Sequence, residues 1–235
     1  MKRFLKTVAV VVAAILLIAA IVGGYLYHAT QQVPEFYVQA LELKPQEQQE
    51  AGQQLEKNLL DLRNDARDSG QWSAEFTDAQ INGWLAFDLP VKFGDLLPAE
   101  FKEPRVSISP TMARVACRYE GKIKTILSLA LDLELTSEPN VMAIRVRNVR
   151  AGALGLPLKK VLDEISAAAK KSGLRLRWKQ KSGAPVALLT LPLESEESTK
   201  HLQLETLRLG KGKVYVSGHT VARPTLARVT QGSSP

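Results

Sequence analysis

Between Ile123 and Leu135 the chain alternates so regularly that a long strand is the one element that satisfies it. Ile123, Leu127, Leu129, Leu131, Leu133 and Leu135 share one parity, with Thr125 the polar exception. Lys124, Ser128, Asp132 and Glu134 share the other with Ile126 and Ala130. Side chains of a strand alternate between faces, so this period of two makes one apolar face and one largely polar face. At strand rise the segment extends about 40 Å, roughly twice an ordinary strand, and a strand that long is expected to twist and curl.

Its neighbours read the same way. Ser137-Glu138-Pro139-Asn140 predicts a turn, after which Met142, Ile144 and Val146 return opposite Arg145 and Arg147 as the second arm of an antiparallel hairpin. Upstream, Val106 and Ile108 mark a short strand, and Ala113, Val115, Cys117 and Tyr119 mark another. Downstream, Leu174, Leu176 and Trp178 alternate with Arg175, Arg177 and Lys179, and Val186 to Leu193 form a further strand. Leu202, Leu204, Leu207 and Leu209 continue with a one-residue phase slip that predicts a bulge, and Gly210-Lys211-Gly212 turns into Val214 to Val221.

Three segments carry the helical period instead. Pro45 opens a stripe of Ala51, Leu55, Leu59, Leu62 and Ala66 on an otherwise polar helix that Ser69-Gly70 ends. Thr77-Asp78-Ala79-Gln80 is a capping box at the head of a short helix with Ile81, Trp84 and Leu85 on one side, followed by a loop from Pro90 to Pro104. Pro157 leads into a helix with Leu158, Val161, Leu162, Ile165 and Ala168 on one side and Lys159, Lys160, Asp163 and Glu164 on the other.

The 21 residues from Thr7 to Tyr27 carry no charge and follow Lys2, Arg3 and Lys6. As a helix they would span roughly 30 Å, the thickness of a hydrocarbon core. The basic start predicts a single-pass anchor in the cytoplasmic membrane, with its amino terminus in the cytoplasm and the rest outside. Val8, Leu16, Leu17, Ile21, Tyr25 and Tyr27 are its expected lipid-facing and interfacial residues. The rival is a cleaved signal peptide with Val22-Gly23-Gly24 as its small-residue site. The expected division is residues 1–6 cytoplasmic, 7–27 in the membrane, 28–44 linker, 45–223 one extracytoplasmic domain and 224–235 a disordered tail. The expected fold class is α+β: a transmembrane helix, then a long curled antiparallel sheet packed on one main helix, with a membrane-proximal amphipathic helix at Pro45 to Asp68.

Charge and chemistry narrow the function. The net charge is +7, but residues 35–104 carry 6 Lys or Arg against 14 Asp or Glu, and residues 105–235 carry 22 against 10. That polarity suits an anionic bilayer or an acidic partner. Nucleic acid is not an expected partner, because the basic half lies outside the cytoplasm in this topology. The single cysteine, Cys117, cannot close an internal disulfide and alternates with buried-type residues. The three histidines, His28, His201 and His219, show no metal spacing, and there is no nucleophile elbow or phosphate loop. Asp163 and Glu164 are helix neighbours that point apart. The sequence therefore predicts a non-enzyme with no cofactor.

What remains is apolar and basic. Leu127, Leu129, Leu131, Leu133, Ile144 and Val146 on the sheet, with Leu158, Val161, Leu162 and Ile165 on the helix, are the candidate lining of a groove for a phospholipid or acyl chain. Each buried methylene would contribute about 0.8 kcal/mol. Arg175, Arg177 and Lys179 form a candidate face for anionic head groups. The competing reading is a structural or assembly protein of the envelope, its core packed shut, that presents its acidic helix to a protein partner; regulation of an envelope enzyme is a third.

Phe76-Thr77-Asp78-Ala79-Gln80-Ile81-Asn82-Gly83-Trp84-Leu85, then Val149-Arg150-Ala151-Gly152-Ala153-Leu154-Gly155-Leu156-Pro157, and the Gly-centred ending from Leu207 to Gly218 occur in that order. In these pieces the chain resembles the YpmS-like and LmeA-like envelope proteins of bacteria. The resemblance spans about residues 72 to 220. It implies an elongated curled sheet wrapped on a helix, as in tubular lipid-binding folds, with lipid binding or transfer as the activity and no catalytic residues.

Overall fold

The computed structural model describes residues 27–67, 70–94, 98–121, 123–171, 173–181, 184–191 and 200–222. Among the described residues the elements run in the order α1 Glu35–Leu41, α2 Pro45–Asp65, β1 Gly70–Thr77, α3 Asp78–Lys92, β2 Phe101–Ser109, β3 Met112–Glu120, β4 Lys124–Leu135, β5 Val141–Ala151, β6 Leu154–Gly155, α4 Leu158–Lys171, β7 Arg175–Lys181, β8 Ala184–Thr190, β9 Lys200–Gly210 and β10 Lys213–Ala222. The strands make two antiparallel sheets. One has three strands in the order β1-β10-β9; the other has seven, in the order β2-β3-β4-β5-β8-β7 with β6 on β5.

This architecture corrects the expected fold class. Among the described residues no helix is long and apolar enough to cross a membrane. The longest, α2, has 21 residues, but it is built mostly of Gln, Glu, Asp and Asn. The anchor positions Val8, Leu16, Leu17, Ile21 and Tyr25 lie outside the described residues, and Tyr27 is exposed. The strands do not form one sheet on one main helix either. Helix α4 packs on β7 at the edge of the large sheet, whereas α2 and α3 pack side by side, with α2 on β1 and α3 on β1 and β2.

The α2–α3 contact also moves the buried face of α2. The sequence predicts a stripe through Leu55 and Leu59, yet the buried positions are Gln48, Gly52 and Leu55, and Leu59 is exposed. Glycine is the reason. A Cβ on Gly83 would meet the carbonyl oxygen of Gln48 and lie 2.6 Å from the Gly52 nitrogen, so the two backbones approach closely where neither residue has a side chain. Trp84 Nε1 donates to Glu56 at 3.2 Å, and Lys92 bridges Glu56 and Asp88 beside it. The expected short helix runs through Pro90 to Lys92, because the capping box at Thr77 starts it and a proline at that point removes one hydrogen bond without ending it.

Two asparagines join the layers. Asn82, on α3, donates to the Val106 carbonyl at 2.9 Å and accepts from the Val106 N–H at 2.7 Å, pairing with the outer edge of β2. Asn140, in the β4–β5 turn with φ of 57°, donates to Leu202 O at 2.7 Å and accepts from Leu204 N–H at 2.9 Å, pairing with the edge of β9. The β9–β10 turn reaches the same β2 edge, where Gly212 N–H donates to Ile108 O at 2.9 Å. Both sheets therefore have edges that polar side chains occupy, which satisfies backbone groups that would otherwise stand unpaired. The phase slip in β9 is a bulge: Thr206 faces Ser217 and Leu204 faces Gly218, leaving Glu205 unopposed.

Within residues 28–44, Ala29, Thr30 and Gln31 bond to the large sheet. Thr125 Oγ1 donates to Thr30 O at 2.6 Å, Gln31 donates to Lys124 O at 3.0 Å and Ala153 N–H donates to Ala29 O at 2.8 Å. Gly152, at φ of 58°, makes this fit possible, since a Cβ there would meet Ala29 and Thr30.

Candidate functional site

The register of the large sheet assembles one apolar face from six strands. Leu131 pairs with Ala113 on β3 and Val146 on β5; Leu129 pairs with Val115, Leu127 with Cys117, and Leu133 with Ile144. Ile144 pairs onward with Ala187 on β8, and Ala187 with Trp178 on β7. At the other end Ile108 on β2 pairs with Ala113. Directly paired residues point to the same side, so this is a continuous apolar band across the sheet.

Its burial is uneven. Ile108, Val146 and Ala187 are buried, while Leu127, Leu129, Leu131, Leu133 and Ile144 are each only partly covered, although β4 lies inside the sheet. Helix α4 flanks the band at one end. Trp178, which belongs to the band, donates its indole N–H to Ser166 of α4 at 2.8 Å. Leu158, Val161, Leu162 and Ile165 are half-buried on α4, and Leu162 shares a cleft of about 290 Å³ with Trp178 and Pro185.

The opposite face is not the plain solvated surface that its charges predict. Val141, Val186 and Leu188 form a buried cluster there with Ala143 packed against it, on the side that carries Arg145, Arg175, Arg177 and Lys179. Arg175, Arg177 and Lys179 are exposed on β7, an edge strand, but Arg177 is engaged by Glu138 at 2.7 Å. That hydrogen bond holds the Glu138 carboxyl below its ordinary range. Asp132 likewise takes Arg147 at 2.6 Å and Arg145 at 3.8 Å. Further along this face, Arg114, Ser128 and Arg150 line a polar cavity of about 590 Å³ beneath α1, where Phe36 lies 5.6 Å from the Arg114 guanidinium.

Among the described residues, Cys117 and His219 stand on different sheets. Cys117 is half-buried, and burial pushes its thiol up to about 11, well away from a reactive thiolate. His219 meets Glu205 at 2.8 Å on the small sheet, a contact that the β9 bulge creates and that period counting did not reveal. Among the described residues no group of three or more His, Cys, Asp or Glu converges on a metal position.

Sequence reasoning missed a cavity of about 900 Å³ between α3 and the start of β2, lined by Leu85, Leu89, Phe93 and Phe101 and by the charged Lys102, Glu103 and Arg105 among others. The signal was present in the spacing of Leu85, Leu89 and Phe93, but the segment after Pro90 reads as loop. No family model, curated protein or solved structure matches the chain.

Proposed function

We propose that this protein binds a lipid or another long apolar chain along the β4 face of its large sheet, and that it does so as a non-enzymatic protein of the cell envelope. The observation that carries the reading is the partial exposure of Leu127, Leu129, Leu131 and Leu133 on a strand inside a seven-stranded sheet. Leucines at the centre of a closed core are normally buried. Here α4 covers the β7 end of the band and leaves the leucines partly open. Twelve residues of β4 give a track about 40 Å long, enough to accommodate an extended acyl chain without polar specificity.

Two further features support it. The segment that follows the apolar run Thr7 to Tyr27 lies against the first residues of β4, so the track begins where that run ends. The resemblance to YpmS-like and LmeA-like proteins points to the same class of ligand. Arg175 and Lys179 are exposed on the opposite face of the edge strand β7, so in this reading they meet the anionic head groups of a bilayer and not the head of the chain on β4, and Arg177 is shared with Glu138.

The test is Leu131→Trp in the full chain, read by saturable binding of a fluorescent fatty acid or phospholipid and by thermal melting. An open groove accepts the indole, loses ligand and keeps its melting temperature within a few degrees. In a closed core the same change overpacks, at a cost of roughly 1 to 3 kcal/mol. Strong destabilisation together with no saturable binding by the wild type would overturn the reading in favour of a packed assembly protein.

A further inference from the structure

The cavity between α3 and β2 has the layout of a receptor for an amphiphile. Leu85, Leu89 and Phe93 recur every four residues and give the end of α3 one apolar side, and Phe101 of β2 also lines the space. Apolar surface of the lining also reaches solvent, where Phe87 and Phe93 are exposed. Exposed apolar side chains clustered at a cavity mark a binding surface rather than scattered surface residues.

The inner wall carries three cations, Lys102, Arg105 and Arg118, against one carboxylate, Glu103. Arg105 is 5 % exposed, lines the cavity, and its Nε has no hydrogen-bond partner, while its Nη1 donates to the Pro104 carbonyl at 2.8 Å. Burying a guanidinium nitrogen without a partner is costly, and burial lowers the affinity of Arg105 for its proton, which Tyr37 and Glu103 oppose. Glu103 also lines the cavity, and its carboxylate is taken by Arg118 of the same lining at 3.2 Å.

We infer that this cavity binds a single-chain amphiphile with an anionic head, its carboxylate or phosphate on Arg105 and its chain along Leu85, Leu89 and Phe93. A planar guanidinium matches either head bidentately. The volume of about 900 Å³ lies within the range of small-molecule pockets. This site is separate from the β4 track and does not depend on it.

The experiment uses the full chain and a diazirine-bearing palmitate analogue, photo-crosslinked and mapped by mass spectrometry, in competition with palmitate, 1-palmitoyl lysophosphatidate and hexadecanol. Labelling is expected in the peptides from Leu85 to Arg105, displaced by the anionic chains at concentrations at least tenfold below those hexadecanol needs. The better competitor of the two identifies the head as carboxylate or phosphate. Arg105→Gln should lower labelling at least tenfold and Arg105→Lys restore part of it, while Phe93→Trp should occlude the cavity. Leu131→Trp should leave this labelling intact even if it abolishes binding on β4. Equal competition by hexadecanol, or labelling unchanged in Phe93→Trp, overturns the inference. The latter variant decides the matter should Arg105→Gln fail to fold.

Discussion

Asn82 holds the peptide of Val106 at both ends, accepting from its N–H at 2.7 Å and donating to its carbonyl at 2.9 Å. A helix side chain here takes the place of a neighbouring strand. Asn140 does the same for β9, and each asparagine fits because its amide carries a donor and an acceptor in the geometry of a peptide. These joints, with the Gly212 to Ile108 bond, position the small sheet and the α2–α3 pair on the large one.

Replacing Asn82 by Ala leaves a strand N–H and carbonyl without their partner. The expected loss is about 2 to 4 kcal/mol, since each deserted buried group costs roughly 1 to 3 kcal/mol. In a domain of this size the thermal midpoint should fall by roughly 5 to 15 °C. Asn82→Asp keeps the acceptor for the Val106 N–H but sets a second acceptor oxygen against the Val106 carbonyl in a buried place, and should lose at least as much near neutral pH. Calorimetry in which both variants kept the wild-type midpoint would show that the pairing contributes nothing.

Gly83→Ala should separate α2 from α3. Its new Cβ would meet the Gln48 carbonyl and the Gly52 nitrogen, which are backbone atoms that cannot rotate away. We expect a loss at the upper end of the overpacking range, about 3 kcal/mol, despite the better helix propensity of alanine. Gly155→Ala is the control, because no atom lies within 4 Å of the added methyl. Denaturant midpoints should separate the two variants clearly.

Cys117 should resist thiol reagents in the native protein. Its thiol is raised to about 11 by burial, so at pH 8 the thiolate is scarce as well as shielded. A maleimide or disulfide reagent should label it only after denaturation, with native labelling slower by at least tenfold. Equal rates in the two states would mean that β3 is open at this position.

The strands were legible because a period of two survives wherever one sheet face is apolar, and β3, β4 and β7 have that pattern. What sequence could not convey was which apolar stripe meets which. Leu55 and Leu59 read as one helix face, but the glycines at 52 and 83 set the contact, and a close backbone approach has no apolar signature. The loop expected after Pro90 concealed the last turn of α3 and with it the cavity of Arg105, whose lining is divided between α3 and β2. The Thr77 to Leu85 motif was visible as a pattern, and its structural roles are a cap at Thr77, a strand clasp at Asn82 and a helix crossing at Gly83.

Tyr37 makes stability sensitive to alkaline pH. It is 2 % exposed, donates its hydroxyl to the Glu103 carbonyl at 3.0 Å, and has its pKa pushed up to about 12, first by burial and then by the Glu103 charge. For an acid whose folded pKa lies above the unfolded value near 10, the folded state prefers the neutral phenol. The resulting stability is whole below pH 10 and falls as pH rises from about 10 to 12, because the unfolded chain releases the proton first. Two units correspond to about 3 kcal/mol at most. Tyr37→Phe should lose the Glu103 bond and be less stable at pH 8, by about 1 kcal/mol, yet fall less steeply above pH 10. Urea midpoints for both proteins between pH 8 and 11.5 check this. Parallel curves would show that Tyr37 ionises as readily in the folded chain as in the unfolded one.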